Sequence, residues 1–248
     1  MKNSTKNIII LASVAVMLIL WEVAALRIDS EQIMPGPAAT LISTVRLFGE
    51  KDFISIVFST VFRGIIGFLI ATAAGVVFGI TAGIHEGFNA FMKPWVVVMR
   101  STPVVAFVLL ALIWFSQSTA VFIAFLTMFP MIFTNVVEGI HNVDGRLLKM
   151  AELYKVKKIR VIKWVYVPAI APFMVSGISS AVGIGWRAII VGEVMSQPRY
   201  GIGNSMQLAQ IQMNVDKLIA WTIIAVLLGF LFEKIIRLIE NVTAKRHL

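Results

Sequence analysis

MAELYKVKKIRVIKWVYVPAIAP, residues 150–172, sets five lysines and arginines in a chain of 248 residues of which only 14% are charged and 58% are hydrophobic. Arg146 and Lys149 stand just before it, so the middle of the chain carries a dense basic segment. The surrounding sequence is oily, with a mean hydropathy of +0.88. A water-soluble domain needs a far more polar surface. The solvent for most of this chain is therefore lipid, and the basic segment is an exception that needs a reason.

On either side of that segment, six runs are long enough to cross a hydrocarbon core of roughly 30 Å, which takes about 20 apolar residues in a helix. They are Ile8–Leu26, Val57–Gly83, Pro94–Phe115, Ala120–Ile140, Val165–Val191 and Leu218–Ile239. No alternation suited to a barrel is present, so the runs read as helices. The first has the lysine-flanked start of a signal peptide, but it continues to Leu26 with only Glu22 interrupting, so a retained helix is expected. The expected fold is all-α and polytopic, a single domain over 1–248. An N-terminal helix and an outer interfacial helix fill 1–53, core helices fill 54–240, and the basic loop occupies 143–165.

Lys and Arg favour the cytoplasmic side of a membrane protein. With the N-terminus inside, the inner connections hold fourteen of the 22 basic residues and the outer ones five. The inner set includes Lys2, Lys6, Lys93, the seven from Arg146 to Lys163, and Lys234, Arg237, Lys245 and Arg246. The other three, Arg63, Arg100 and Arg187, fall within spans. Both termini and the basic loop are thus expected in the cytoplasm.

The loop has its own periodicity. Leu147, Met150, Ala151 and Tyr154 share one helical face, which Arg146, Lys149 and Glu152 leave. Ile159, Ile162 and Tyr166 suggest a second short amphipathic helix, with Lys155 to Lys158 between the two. Charge alone allows two roles: a segment resting on anionic lipid or a docking surface for a cytoplasmic partner. On the opposite side, IMPGPAATLISTVRLF (33–48) predicts a short interfacial helix with Leu41, Val45 and Phe48 on one face. In the last outer loop, Gly201 and Gly203 suggest a tight turn.

Several functions are excluded or disfavoured. There is no cysteine, hence no disulfide or thiolate chemistry. No G-x-x-x-x-G-K-[ST] phosphate loop exists, so this chain is not an ATPase. His85, His141 and His247 sit at helix ends or in the tail and form no metal pattern. No hydrophilic domain exists to present a nucleic-acid surface. The spans lack the series of acids typical of proton-driven carriers, Glu193 being the one acid near a span without an ordinary interface role. Trp186 and Glu193, seven residues apart, share a helix face, and Arg187 points elsewhere. Glu193 is expected at the outer mouth or a dimer seam. Gly75, Gly79 and Gly83 form one row suited to close helix packing.

The loop followed by VPAIAP (167–172) resembles the EAA loop of ABC importer permeases, binding-protein-dependent and of type I. The family's Glu-Ala-Ala aligns with Lys149, Met150 and Ala151, of which only Ala151 matches, and its Gly aligns with Lys155. A left-handed Lys is strained, so a gentler bend is expected, with the family's acidic contact either lost or taken over by Glu152. Other segments, in order, resemble the nitrate, sulfonate and taurine branch: MPGPAATLISTV, STVFRGIIGF, MRSTPVVAFVLLALIWF, GWRAIIVGEVM, GIGNSM and LLGFLFEKIIRLIE.

The resemblance implies a prokaryotic inner-membrane permease that does no chemistry. Its partners would be two cytoplasmic ATP-binding subunits carrying ATP and Mg, a second permease copy or paralogue, and an extracytoplasmic binding protein. Lys149, Met150, Ala151, Glu152, Tyr154, Lys155, Val156 and Lys157 would dock on the ATPase. Arg100, Pro103, Trp186, Arg187 and Glu193 would line a pathway or gate. The expected cargo is a small anion such as a sulfonate, taurine or nitrate, with a pyrimidine vitamin precursor or riboflavin as the alternative. An ion-gradient carrier or a membrane scaffold are the rival classes.

Overall fold

A computed structural model describes residues 3–30 and 33–245. Lys2, Arg246 and His247 lie outside the described residues. The described chain is nearly all helix: α1 (Asn3–Ile28), α2 (Pro37–Leu47), α3 (Phe53–Ile84), α4 (Glu86–Ser101), α5 (Val104–Phe115), α6 (Thr119–His141), α7 (Gly145–Leu153), α8 (Lys158–Val161), α9 (Val167–Ser196), α10 (Ile202–Ile211) and α11 (Val215–Lys245). Five stretches among the described residues are long and apolar enough to cross a membrane: Asn7–Ile28, Phe53–Ile84, Val104–His141, Lys158–Ser196 and Val215–Leu238.

The central column is α6, buried along most of its length between α3 and α9. Glycine makes both contacts possible. A Cβ on Gly67, Gly75, Gly79 or Gly83 of α3 would sit within 2.9 Å of Ala124, Ile132, Val136 or Ile140 of α6. The two rows advance together, so α3 and α6 run parallel. On the other side Gly192, Gly185 and Gly177 of α9 close on Ala120, Met128 and Asn135 in descending order, so α9 is antiparallel to α6. In lipid there is little hydrophobic drive to bring helices together, and such backbone approach supplies the van der Waals contact that holds the bundle. The predicted glycine row therefore packs as expected.

This register gives the bundle two ends. One carries α2, α10 and the starts of α3, α6 and α11. The other carries α7, α8 and the end of α3. On the outer side of α2, Leu41, Val45 and Phe48 stay exposed, while Thr40, Thr44 and Leu47 face inward. The short helix expected here is present, and the three apolar residues expected on one of its faces are exposed.

Two sequence expectations need correction. Pro94–Phe115 is not one span. Thr102, at φ −78° and ψ 132°, separates α4 from α5, because the ring of Pro103 disfavours a helical residue before it. Chain 85–118 must still pass from the α7 end to the α10 end, so two shorter helices make that passage. After α5 the chain reverses at Ser116 (φ 44°), where Thr119 Oγ1 donates to the Ser116 carbonyl at 2.6 Å. The stretch Val104–His141 is therefore folded back on itself, and five stretches rather than six uninterrupted helices are observed.

The second short helix of the basic loop is also not separate. From Lys158 the chain continues through a π-turn at Ile162–Tyr166 into α9 without a break. Val167 N–H donates to the Ile162 carbonyl five residues back. That wider turn admits Pro168, which lacks an N–H and would clash in a regular helix interior.

Candidate functional site

Two clusters stand at opposite ends of the bundle. The first is built on α7. Asp144 caps its start, accepting from the Arg146 N–H at 2.8 Å. It ends in a double hydrogen bond: Lys155 N–H donates to the Glu152 carbonyl and Val156 N–H to the Ala151 carbonyl, each at 2.9 Å. This pairing is a Schellman motif, whose pivotal residue is left-handed and usually glycine. Here it is Lys155 at φ 48°. The expected gentler bend is thus overturned: the full turn is present, because the two terminal hydrogen bonds outweigh a strain of about 1–2 kcal/mol.

The faces of α7 also divide differently from expectation. Ala151, with Leu148, turns toward the bundle and lines a groove of about 620 Å³ with Ile84, Val161, Ile162 and Tyr166. Tyr154 does not share that face and is 78% exposed. Leu147, Met150 and Leu153 are exposed with it. Sequence periodicity did not single out Leu153, although its three-residue spacing from Met150 was legible. Lys149, Glu152 and Lys157 are exposed around this apolar patch, and Lys155 and Val156 stand at its edge over the groove.

The second cluster lies near the α10 end. Glu193 is fully buried. One carboxylate oxygen accepts from Arg63 Nη1 at 2.5 Å; the other accepts from Thr60 Oγ1 at 2.9 Å and from the Gly203 N–H at 3.0 Å. Thr60 Oγ1 in turn accepts from the Ile202 N–H at 2.9 Å, and Arg63 Nη2 donates to the Tyr200 carbonyl at 2.7 Å. Ile202 and Gly203 are the first residues of α10, whose opening N–H groups have no partner within the helix. Side chains from α3 and α9 thus cap α10, and the carboxylate sits at the positive end of its dipole.

Glu193 is therefore not at an open mouth or seam within this chain. It is enclosed because the adjacent loop presses on it: a Cβ on Gly201 would lie 2.8 Å from its Oε2, and one on Gly203 2.6 Å from its Cβ. These glycines are needed for space, since neither adopts the left-handed conformation; the expected tight turn is not their role. Trp186 shares the buried face of α9, as the spacing required, and its Nε1 donates to the Ala225 carbonyl of α11 at 2.8 Å. Arg187 points away from that face and is exposed. Arg100 is exposed at the end of α4, and Pro103 forms the break after it. The Arg63–Glu193 partnership escaped the sequence, since 130 residues separate its members.

A broken-helix bundle with a capped amphipathic helix projecting from the loop between α6 and α9 defines a transport component of the importer-permease type. A family model, binding-protein-dependent transport system inner membrane component, matches residues 75–244, and the chain belongs to that family. It is 27% identical over 247 residues to a putative ABC transporter permease of Methanocaldococcus jannaschii, covering 97% of this chain and 92% of that one. It is also 27% identical over 231 residues to a putative aliphatic sulfonates transport permease of Bacillus subtilis, covering 92% and 83%. A taurine transport system permease of Escherichia coli is 23% identical over 228 residues, covering 89% and 82%. Among solved structures, a methionine ABC transporter in an inward-facing conformation matches 84% of this chain and 98% of its own, with a TM-score of 0.50 and 16% identity. The likeness in that case is one of fold.

Proposed function

We propose that this chain is the membrane-spanning half of an ATP-driven importer and that α7 is the element gripped by a separate ATPase. The observation that carries this reading is the patch Leu147, Met150, Leu153 and Tyr154, exposed on a capped helix at the basic end of the bundle. An apolar helix face ringed by charge suits a protein cleft. The basic flanks Arg146, Lys149, Lys157 and Lys158 suit acidic rims or headgroups.

In this reading two ATP-binding subunits hold ATP and Mg, and each grips one permease, a second copy of this chain or a paralogue. The α7 end and both termini face the cytoplasm of a prokaryote, following the bias of basic residues. A binding protein delivers solute at the α10 end. The cargo is a small anion of the sulfonate class, by likeness to the sulfonate and taurine permeases. Alternating access is driven from α7, and Glu193 with Arg63 and Thr60 keeps α10 fixed to the bundle.

The test is co-purification and uptake after co-expression with the ATPase and binding protein. Met150→Glu and Tyr154→Glu lie on the exposed face and leave the bundle's packing intact. Uptake and solute-stimulated ATP hydrolysis should fall together, by tenfold or more for a lost hot-spot contact of about 2 kcal/mol. If no ATPase ever accompanies the chain, or if uptake collapses with an ion gradient instead, the proposal fails.

A further inference from the structure

The chain that leaves α7 and enters α9 is rich in cations and lacks counter-charge. Lys155, Lys157, Lys158, Arg160 and Lys163 follow one another closely, and no Asp or Glu occurs between Glu152 and Glu193. None of the five makes an ion pair among the described residues, and all are exposed.

Two faces separate in this segment. Lys158, Val161, Ile162 and Tyr166 turn toward α7 and line the groove already described. Arg160, Lys163, Trp164 and Val167 do not line it, and all are exposed, Trp164 by 71% and Val167 by 53%. Counted from Arg160, the other three follow at the spacing of one helix face. Lys163 Nζ stands 5.5 Å from the centre of the Trp164 ring. Two cations, an indole and an aliphatic side chain thus succeed one another along the direction of entry into α9.

The depth of this face follows from the charge-free run beyond it. Residues 164–186 contain no Asp, Glu, Lys or Arg, and the chain is helical without a break from Lys158 to Ser196. That run is roughly 34 Å long as helix, just over a hydrocarbon core of roughly 30 Å. Lys163 and Trp164 therefore stand at the boundary of the core, the level of the headgroups, where Trp is enriched.

We propose that Arg160, Lys163 and Trp164 bind the headgroup of an acidic phospholipid, whose acyl chain continues past Val167. The charge is complementary, and a basic cluster at the end of a membrane-crossing helix attracts anionic lipid. A second copy meeting this face about a twofold axis would set cation against cation, which is costly. The ATPase is assigned to α7, and the groove lies between α7 and this face. The site stands apart from the importer reading, since it needs only a membrane and these side chains.

The chain has no cysteine, so Val167→Cys carries a single fluorophore beside the site. The full chain, with the subunits that co-purify, is reconstituted in bilayers of phosphatidylcholine and phosphatidylglycerol, with bromine on the acyl chains of one lipid or the other. Quenching then gives the relative occupancy of the two lipids at that position. Phosphatidylglycerol should be preferred by about fivefold or more, the scale of one basic residue at a lipid surface. Arg160→Gln/Lys163→Gln should abolish the preference, and Arg160→Lys/Lys163→Arg should keep it. Both side chains are exposed, so neither variant disturbs the packing of the bundle. A fluorophore at Ile113→Cys, a position 79% exposed on α5, should show no preference. Equal quenching by the two lipids at position 167, or quenching by neither because protein covers the site, overturns the proposal. So does a preference that survives the double Gln variant or recurs at position 113.

Discussion

Replacing Glu193 by Gln tests whether a buried carboxylate holds α10 to the bundle. The native group takes hydrogen bonds from Arg63, Thr60 and the Gly203 N–H with no solvent exposure. Glutamine keeps one acceptor oxygen but turns an N–H₂ toward a guanidinium, and the arginine loses its counter-charge. Breaking a buried pair by removing one partner costs about 3–5 kcal/mol. For a chain of this size that corresponds to a fall of roughly 6–20 °C in Tm. The local signature is sharper. Each 1.4 kcal/mol is tenfold in an opening equilibrium, so the amides of Ile202 and Gly203 should exchange at least about a hundredfold faster. Amides of α6 should be unaffected. Arg63→Met alone should act similarly. In Arg63→Met/Glu193→Met, which leaves no buried charge, the loss should be smaller than the sum of the single effects by at least about 1.5 kcal/mol. Hydrogen exchange in nanodiscs, followed by mass spectrometry, reads both. If exchange at Ile202 and Gly203 is unchanged, or if the two substitutions simply add, the carboxylate is not what anchors α10.

Other outcomes follow from single contacts. Gly79→Ala would bring a Cβ within 2.8 Å of Val136, and thermal unfolding in detergent should show a loss of about 1–3 kcal/mol from overpacking; Gly87→Ala, with nothing within 4 Å, should lose nothing. Lys155→Gly should raise stability by about 1 kcal/mol by relieving the left-handed strain at φ 48°, and Lys155→Ile should lower it, both measurable as shifts in Tm. Trp186→Phe removes the hydrogen bond to the Ala225 carbonyl and should cost about 1 kcal/mol by the same measurement.

Residue order suffices for the membrane class, the helical state of the spans, the short helix α2 and the amphipathic α7. These are local properties: hydropathy over about 20 residues fixes what can sit in lipid, and a repeat of 3.6 residues fixes which side chains share a face. The Gly75, Gly79, Gly83 row is legible too, because close helix packing leaves a spacing signature. Nothing in the hydropathy pattern shows that Thr102 divides one apolar run into two helices, since hydropathy is blind to a backbone break. Nor does it show Lys155 held left-handed, a conformation set by two hydrogen bonds from the end of α7.

The fate of the charges is a matter of tertiary contact. Arg63, Arg100 and Arg187 read alike in sequence as cations within apolar runs. Only the approach of α9 to α3 gives Arg63 its carboxylate, and only the gap between α9 and α11 leaves Arg187 beside an open groove. Whether a buried charge is paired depends on contacts between residues far apart in the chain, and no local pattern encodes such a distance.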